Sequence, residues 1–234
     1  MRIFADFPEA QNEIKRDLAE LGVDVHPETM QDKQLADDPD FLTKELSNYI
    51  YSVLRPNFTE IEGVHEEWVA QEWEDRVVGQ LNPGRAWKKR QDVWEQFLER
   101  DRGMRRGTNK PSRFSYTYSE RMGGKHLQRI IDELKVHPHS RQLWLPVWDK
   151  VDETRRGERR VPCSLGYWFV QREGALHLTY VMRSCDLFTH YPNDIALAAI
   201  MQHHVAKKSG YKVGTFTHFI GSFHVYYKDV KDVF

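Results

Sequence analysis

Apolar residues recur at intervals of three and four in several parts of the chain, which is the spacing of one face of a helix. Four helices are predicted in this way, over residues 8–22, 41–54, 124–136 and 193–208. Proline and glycine residues support the predicted helix ends. Pro8 suits a first helical turn, Gly22 suits a helix end and Pro56 stops the second helix. The tryptophan-rich stretch 64–100 predicts two further helices, broken at Asn82-Pro83-Gly84.

Alternation of apolar and polar residues predicts strands in the C-terminal half. These strands cover residues 143–147, 165–172, 176–183 and 214–226. The segment Arg172-Glu173-Gly174 is expected to join two of them as antiparallel neighbours. Residues 23–40 predict an acidic loop, and residues 102–113 predict a mobile basic loop. Helices first, and then a sheet interrupted by one long helix, indicate an α+β or mixed α/β fold in a single domain.

Composition narrows the class of protein. Hydrophobic residues make up 40% of the chain and the formal net charge is -1, so no overall electrostatic field favours nucleic acid or a membrane surface. No window approaches the roughly 18 apolar residues of a membrane-spanning helix, and the N-terminus lacks the apolar core of a signal peptide. Two cysteines are too few for a disulfide framework. We expect a soluble cytoplasmic protein (in the host cytoplasm if phage-encoded) with no metal site and no stable nucleic-acid complex.

Candidate chemistry concentrates around the two cysteines. Cys163 follows Pro162, and the run Met182-Arg183-Ser184-Cys185-Asp186 comes after a further strand. A guanidinium near a thiol lowers the thiol pKa, because its charge stabilises the thiolate. Adjacent antiparallel strands would place Arg183 beside Cys163. Burial of Cys163 as an ordinary core residue is the alternative.

Two further motifs follow, the pair Asn193-Asp194 and the run Gly221-Ser222-Phe223-His224-Val225-Tyr226. In one register with the cysteine and arginine segments, they resemble the thymidylate synthase family from about residue 123 to 226. The resemblance implies the thymidylate synthase fold, a single domain over 1–234 with a kinked mixed sheet packed by helices. Residues 1–120 would be helical and divergent, and residues 121–234 would form the catalytic core.

The resemblance also implies roles for the matching residues. Cys163 resembles the thiolate that adds to C6 of a pyrimidine nucleotide, which makes C5 nucleophilic. Arg183 and Ser184 resemble ligands of the nucleotide phosphate. Asp186 resembles an aspartate near the base and the folate. The one-carbon donor implied in this way is 5,10-methylenetetrahydrofolate.

Other matches complete the implied site. His224 and Tyr226 resemble the pair that binds the sugar 3′-hydroxyl. Arg141 resembles the arginine that reaches the partner subunit's phosphate, so a homodimer is implied. Glu72 is the candidate for the family glutamate that organises water near the base, with Glu67 as its rival. Trp94 is the candidate for stacking on the folate ring.

Asp194 bears on the choice of base. The family places an asparagine there to bind uracil, and an amide matches the N3–H donor and O4 acceptor of uracil. A carboxyl group can instead accept a hydrogen bond from N4 of cytosine and share a proton with N3. Deoxycytidylate hydroxymethylases of phages, within the same family, are similar at this position. The alternative is that Asp194 only caps the following helix.

The last step of the reaction is open to water or to hydride. Only eight residues follow Tyr226, and Ser164 stands where thymidylate synthases usually have histidine. Both features favour water, because the methyl product requires its exclusion. The sequence therefore predicts a deoxycytidylate (dCMP) 5-hydroxymethyltransferase of nucleotide biosynthesis for phage DNA modification. The alternatives are a dCMP methyltransferase, a dUMP hydroxymethylase or thymidylate synthase, and an inert nucleotide- or RNA-binding protein.

Overall fold

The computed structural model describes residues 1–27, 29–30, 33–34, 38–98, 113–152 and 160–230. The strands are β1 (Arg2–Phe4), β2 (Val23–Val25), β3 (Thr29–Met30), β4 (Lys33–Gln34), β5 (Thr43–Val53), β6 (Trp144–Pro146), β7 (Ser164–Arg172), β8 (Ala175–Asp186) and β9 (Lys212–Tyr226). The α-helices are α1 (Phe7–Leu21), α2 (Glu66–Val78), α3 (Gln91–Trp94), α4 (Tyr118–Met122), α5 (Lys125–Val136) and α6 (Tyr191–Ser209). Mixed α/β architecture is thus confirmed.

The chain divides into two compact units. The first comprises Met1–Val64 and Ile131–Phe234 and holds a mixed sheet with the strand order β1-β5-β9-β8-β7-β6, to which β2 adds by pairing with β5. β8 and β9 are parallel, whereas β7 with β8 and β5 with β9 are antiparallel. Parallel neighbours need a long crossover connection, and α6 provides it between β8 and β9.

Helix α6 forms a central part of the core of the first unit. It packs on β8 and β9 and buries residues all around its circumference, as expected of a helix enclosed by protein. The fully buried amide of Gln202 donates to the carbonyl oxygens of Leu176 and Gly214 at 2.9 and 3.1 Å, so it joins the helix to both strands. Gly210 ends the helix in the left-handed conformation that favours glycine. The predicted helix 193–208 is confirmed.

Helix α1 confirms the predicted helix 8–22. It begins at Asp6, whose side chain accepts a hydrogen bond from the Glu9 amide at 3.1 Å, the usual geometry of an N-terminal cap. Its apolar face buries Ile14 and Leu18 completely. The helix ends at Gly22, whose amide donates to the carbonyl of Leu18. The helix predicted over 124–136 and all four predicted strands also form, with shifted ends.

The predicted helix 41–54 is wrong, because this segment is strand β5. Its apolar residues fit a helical spacing, but Tyr51 and Val53 also alternate toward the core and are completely buried. Aromatic and β-branched residues favour strands when tertiary packing offers partners, and β9 pairs with β5 along most of its length. The described part of residues 1–120 thus contains strands β1–β5 as well as helices α1–α3 and the start of α4. The predicted acidic loop contains β2 at its start.

Irregular positions interrupt the regular pairing of the sheet. The strand register shifts between Ser164 and Gly166 and between Leu176 and Leu178, and such bulges bend a strand. Asn48 of β5 has a φ of 54°. A side chain on Gly221 would place its Cβ 2.7 Å from the carbonyl oxygen of Arg183, so only glycine allows β9 this close approach to β8.

The second unit comprises residues His65–Ile130. Helix α2 ends at Gly79, and the predicted second helix forms only short helical turns, including α3. Buried Asp75 organises the connection after α2, because its carboxylate accepts from the Arg85 and Ala86 amides at 2.6 and 3.1 Å. Most of the predicted basic loop 102–113 lies outside the described residues. No helix in the described ranges is long and apolar enough to cross a membrane.

Candidate active site

The β7–β8 hairpin brings Cys163 and Arg183 together. Its turn contains Glu173 and Gly174 with φ values of 52° and 76°, and such positive values allow a tight two-residue turn. At the open end of the hairpin, the Arg183 amide donates to the carbonyl oxygen of Cys163 at 2.8 Å. The sequence-predicted pairing of these strands therefore forms, and it places the arginine next to the cysteine.

The Arg183 guanidinium is held along the segment that contains the thiol. Its Nε donates to the carbonyl oxygen of Pro162 at 2.9 Å, and its Nη2 donates to that of Val161 at 3.3 Å. The same Nη2 lies 3.9 Å from Sγ of Cys163. Two backbone acceptors thus orient the charge beside the sulfur.

The electrostatics of the thiol differ from the sequence prediction. Burial raises the pKa of Cys163, and this effect is larger than the lowering by the Arg183 charge. Asp194 and Asp186 raise the same pKa further, whereas Arg160 lowers it. The Arg183 charge lowers the pKa of Cys163 as predicted, but burial outweighs this effect, so the net shift is upward. The thiolate is the minor form of Cys163 at neutral pH.

Asp186 lies where β8 ends beside β9. It pairs with His224, and the amide of the next residue, Leu187, donates to the His224 carbonyl oxygen at 2.9 Å. Its Oδ1 accepts from the Phe188 and Thr189 amides at 3.0 and 3.2 Å. The carboxylate therefore shapes the turn that leads into α6.

His224 and Tyr226 lie close together near the C-terminal end of β9. Their rings meet edge to face, with centroids 5.3 Å apart. Burial lowers the pKa of His224, against opposing effects of Asp186 and other groups. Burial also raises the pKa of Tyr226 to about 12, with further raising by the charges of Asp186 and Cys163. At neutral pH the pair is an uncharged imidazole and an uncharged phenol, both suited to bind hydroxyl groups.

Asp194 lies in the first turn of α6. The capping position is His190, and the Asp194 amide donates to the His190 carbonyl oxygen at 2.9 Å, as within a helix. The charge of Asp194 raises the pKa of both Cys163 and Cys185. The residue at the capping position is therefore His190 and not Asp194, and the Asp194 carboxylate acts electrostatically on the candidate nucleophile.

Ser184 and Arg141 also belong to the first unit. Ser184 pairs with Ser222 across β8 and β9 and is partly exposed. Arg141 is exposed in the connection between α5 and β6, where its carbonyl oxygen accepts from Trp168 Nε1 at 3.2 Å. The structure thus places most of the candidate nucleotide ligands on β8, β9 and α6 of one unit.

Glu72 and Trp94 belong to the second unit. Glu72 lies on α2 and accepts from Nε of Arg76 at 2.9 Å, in an ion pair with little exposure. Trp94 stacks nearly parallel on Trp68, with ring centroids 6.0 Å apart. Their assignments to water and folate remain predictions.

Sequence reasoning missed two buried or partly buried polar contacts next to these residues. Glu45 pairs with His224 across β5 and β9, and its Oε2 accepts from Ser222 Oγ at 2.7 Å. Tyr180 shares a hydrogen bond with Ser164, the residue after Cys163. Glu45 was missed because its segment was predicted to be helical. The alternating pattern of β5 was the available signal.

Comparison with known proteins shows which family the sequence matches. The family model described as "Thymidylate synthase" matches residues 58–234, which is more than half of the chain; the match includes the whole second unit and the C-terminal segment of the first. A thymidylate synthase of Symbiobacterium thermophilum is 36% identical over 95 residues, which is 41% of this chain and 33% of that protein. A thymidylate synthase of Leuconostoc mesenteroides is 36% identical over 105 residues, which is 45% of this chain and 32% of that protein.

A longer match covers most of the chain. A provisionally named thymidylate synthase of Methanothermobacter marburgensis is 29% identical over 211 residues, which is 86% of this chain and 87% of that protein. The matches to the Symbiobacterium and Leuconostoc proteins, in contrast, span only about a third of those relatives. Together with the family match, these comparisons establish that the chain belongs to the thymidylate synthase family.

Proposed function

We propose that this protein transfers a one-carbon unit from 5,10-methylenetetrahydrofolate to C5 of dCMP and releases 5-hydroxymethyl-dCMP. The observation that carries the choice of base is Asp194, a carboxylate in the first turn of α6 whose charge acts on the Cys163 thiol. Thymidylate synthase activity toward dUMP is the second candidate, because the relatives carry that name.

Base recognition by Asp194 follows from hydrogen-bonding capacity. A carboxylate accepts from the N4 amino group of cytosine, and a proton shared with N3 adds a second hydrogen bond. Facing uracil, the same carboxylate would meet the O4 acceptor and would be left unpaired. An unpaired buried polar group costs about 1–3 kcal/mol, and more when it is charged. The site as proposed therefore discriminates against dUMP.

Covalent activation of the base is the proposed role of Cys163. Its sulfur forms a bond to C6, and the electron pair of the C5–C6 double bond makes C5 nucleophilic. C5 then bonds to the one-carbon unit and loses its proton. Water adds its hydroxyl to the resulting exocyclic methylene group, while the bond between Cys163 and C6 breaks. The two bonds between the transferred carbon and the folate nitrogens break in this sequence. The folate nitrogens take up the proton lost from C5 and one proton from water.

Binding and orientation are the proposed work of the surrounding residues. Arg183 and Ser184 hold the phosphate, with Arg141 gripping that of the partner subunit. His224 and Tyr226, uncharged at neutral pH, bind the sugar hydroxyl. Holding the ring over the sulfur converts the addition into an intramolecular step, which supplies much of the rate.

The folate, when bound, supplies a carbon at the oxidation level of formaldehyde. Trp94 and Asp186 are the candidate ligands. A partly buried indole fits a flat heterocycle, and a carboxylate accepts from its N–H groups. Glu72 is proposed to organise water near the base.

Homodimer formation is also proposed, and one face of the sheet supports it. Ile50, Phe219 and Val181 lie side by side on β5, β9 and β8 and are all partly exposed. Trp168 lies on the same face of β7 and is 39% exposed. A partly exposed apolar face of this kind typically marks an interface between proteins.

Replacing Phe219 with glutamate is expected to convert the dimer to a monomer. The charge would lie at the centre of the apolar face, where pairing with a second copy would leave it without water. Analytical ultracentrifugation measures the change, and Phe188→Glu is the control because Phe188 is an exposed phenylalanine outside this face, in the turn after β8. A wild-type protein that sediments as a monomer would contradict the proposed dimer.

The proposed activity is tested by mass analysis of products in water labelled with oxygen-18. The purified protein is incubated with the folate and either dCMP or dUMP. We expect a labelled hydroxymethyl product from dCMP and none from dUMP. A methyl product from dCMP would retain the base assignment but replace water in the last step. Product from dUMP alone would support thymidylate synthase or dUMP hydroxymethylase activity, and no product from either would favour the inert binding protein.

A further inference from the structure

The residue that follows the proposed nucleophile carries a buried hydrogen bond. Ser164 is 0% exposed, and its Oγ lies 2.5 Å from the hydroxyl oxygen of Tyr180 on the neighbouring strand β8. The hydroxyl of Ser164 therefore packs inside the core. Ser164 directly follows Cys163 in the chain. The contact with Tyr180 therefore fixes the backbone on the C-terminal side of the thiol-bearing residue.

Tyr180 is itself held on both faces of its ring. Tyr167 stacks on one side with a centroid separation of 4.5 Å, and His218 stacks with a separation of 4.7 Å. Both pairs of rings are parallel to within 7°. Close packing on this scale prevents the phenol from changing its position, so its hydroxyl offers Ser164 a fixed partner.

The contacts continue from this stack to α6. Nδ1 of His218 lies 3.1 Å from the Tyr51 hydroxyl, which lies 2.8 Å from the hydroxyl of Tyr191. Tyr191 is the first residue of α6, the helix that carries Asp194 in its first turn. Burial lowers the pKa of His218 to about 3, so the imidazole is neutral at physiological pH. We call Tyr180, His218, Tyr51 and Tyr191 the buried tyrosine–histidine network.

Strand β7 needs such a constraint at its start. The register with β8 shifts between Ser164 and Gly166, so regular backbone pairing is interrupted just after Cys163. A bulge of this kind leaves a residue without its usual ladder partner. The hydroxyl contact between Ser164 and Tyr180 spans the irregular position and is shielded from water, where hydrogen bonds are strong.

We propose that Tyr180 is a positioning residue that acts through Ser164 to hold the Cys163 thiol against Arg183. The buried tyrosine–histidine network joins this thiol segment to the start of α6, so the nucleophile and Asp194 keep a fixed relation. The part of the proposal that concerns turnover rests on the proposed function. The part that concerns the position and pKa of the thiol is independent of the proposed function.

The first test measures alkylation of Cys163 by iodoacetamide across pH in the nucleotide-free protein. The variants are Tyr180→Phe, Ser164→Ala and their combination, with Cys163→Ser to identify the labelled residue. Loss of the hydroxyl contact lets the sulfur move away from the guanidinium, so the thiol pKa rises. We expect the alkylation rate in mildly alkaline buffer to fall about three- to tenfold, in line with one hydrogen bond, and its pH midpoint to move upward.

The double variant separates positioning from general loosening. If the two hydroxyls act as one contact, the combined change resembles each single change instead of their product. Arg183, Arg160, Asp194 and Asp186, the charged groups that act on the thiol pKa, are unchanged in these variants. If Tyr180→Phe does not fold, Ser164→Ala tests the same contact, because it removes the other hydroxyl group.

Two matched controls lie elsewhere on the sheet. Tyr49→Phe removes a tyrosine hydroxyl that contacts Asp17 at 2.6 Å, and Ser52→Ala removes a serine hydroxyl that contacts Thr217 at 2.8 Å. The controls are expected to leave the alkylation midpoint unchanged. An unchanged midpoint in Ser164→Ala, or an equal change in the controls, would overturn the proposal.

Turnover provides a second measurement. With dCMP and the folate, Tyr180→Phe is expected to lower kcat about tenfold while KM stays within about twofold, because positioning affects the chemical step more than nucleotide binding. An unchanged kcat would overturn the link to catalysis. If the wild-type protein forms no product but the alkylation midpoint still moves, the proposed function fails and the positioning of the thiol is retained.

Discussion

Replacing Cys163 with serine is expected to lower product formation from dCMP by at least about a thousandfold, because serine cannot replace the thiolate in the addition to C6. Binding of dCMP is expected to persist, since the proposed phosphate and sugar ligands are unchanged in this variant. The measurements are turnover by mass analysis and nucleotide affinity by calorimetry. Together they separate a chemical role from a structural one.

Cys185→Ala is the matched control for this variant. Cys185 is the other cysteine of the chain and is 3% exposed on β8, and it has no proposed contact with the substrate. We expect its kcat to stay within about threefold of the wild-type value, with some loss of stability from the small cavity. Substantial turnover by Cys163→Ser would show that the reaction does not pass through a bond to this sulfur.

Replacing Asp194 with asparagine is expected to shift the ratio of kcat/KM for dCMP over dUMP toward dUMP by about a hundredfold or more. The amide has nearly the same shape but offers uracil both a donor and an acceptor, and misplaced buried polar groups discriminate strongly between substrates. Steady-state kinetics with both nucleotides measures the ratio. An unchanged ratio would show that Asp194 does not recognise the base.

The same variant has a predicted effect on the free thiol. Asp194 raises the pKa of Cys163, so removal of its charge is expected to lower that pKa and to increase the thiolate fraction at a given pH. Alkylation of Cys163 should therefore become faster in Asp194→Asn, opposite in sign to the change expected for Tyr180→Phe. Asp132→Asn, an exposed site on α5, is the control for loss of one carboxylate.

Local signals in the sequence were sufficient to predict much of the C-terminal half of the fold. The pattern around Arg172-Glu173-Gly174 predicted the hairpin that places Arg183 beside Cys163, because the residues involved are close along the chain. The long helix before Gly210 was equally clear. The motifs at Asp194 and His224 identified the family, which the wider match confirms.

Pairing within the sheet decided between helix and strand where the local sequence pattern fitted both. Residues 43–53 fit one face of a helix about as well as a strand, and pairing with β9 selects the strand. That choice brings Glu45 opposite His224 and Tyr51 next to His218, contacts between residues far apart in the chain. Because the partners come from distant segments, no local spacing predicted them.

The sequence by itself determined which chemical groups this protein has, namely a thiol, a nearby arginine and a carboxylate where the family places an amide. Only the tertiary structure decided their electrostatic state. Cys163 is desolvated enough that burial outweighs the Arg183 charge, and the charge of Asp194 raises the thiol pKa further. Desolvation and charge interactions depend on distances in the folded core, which residue identity does not specify.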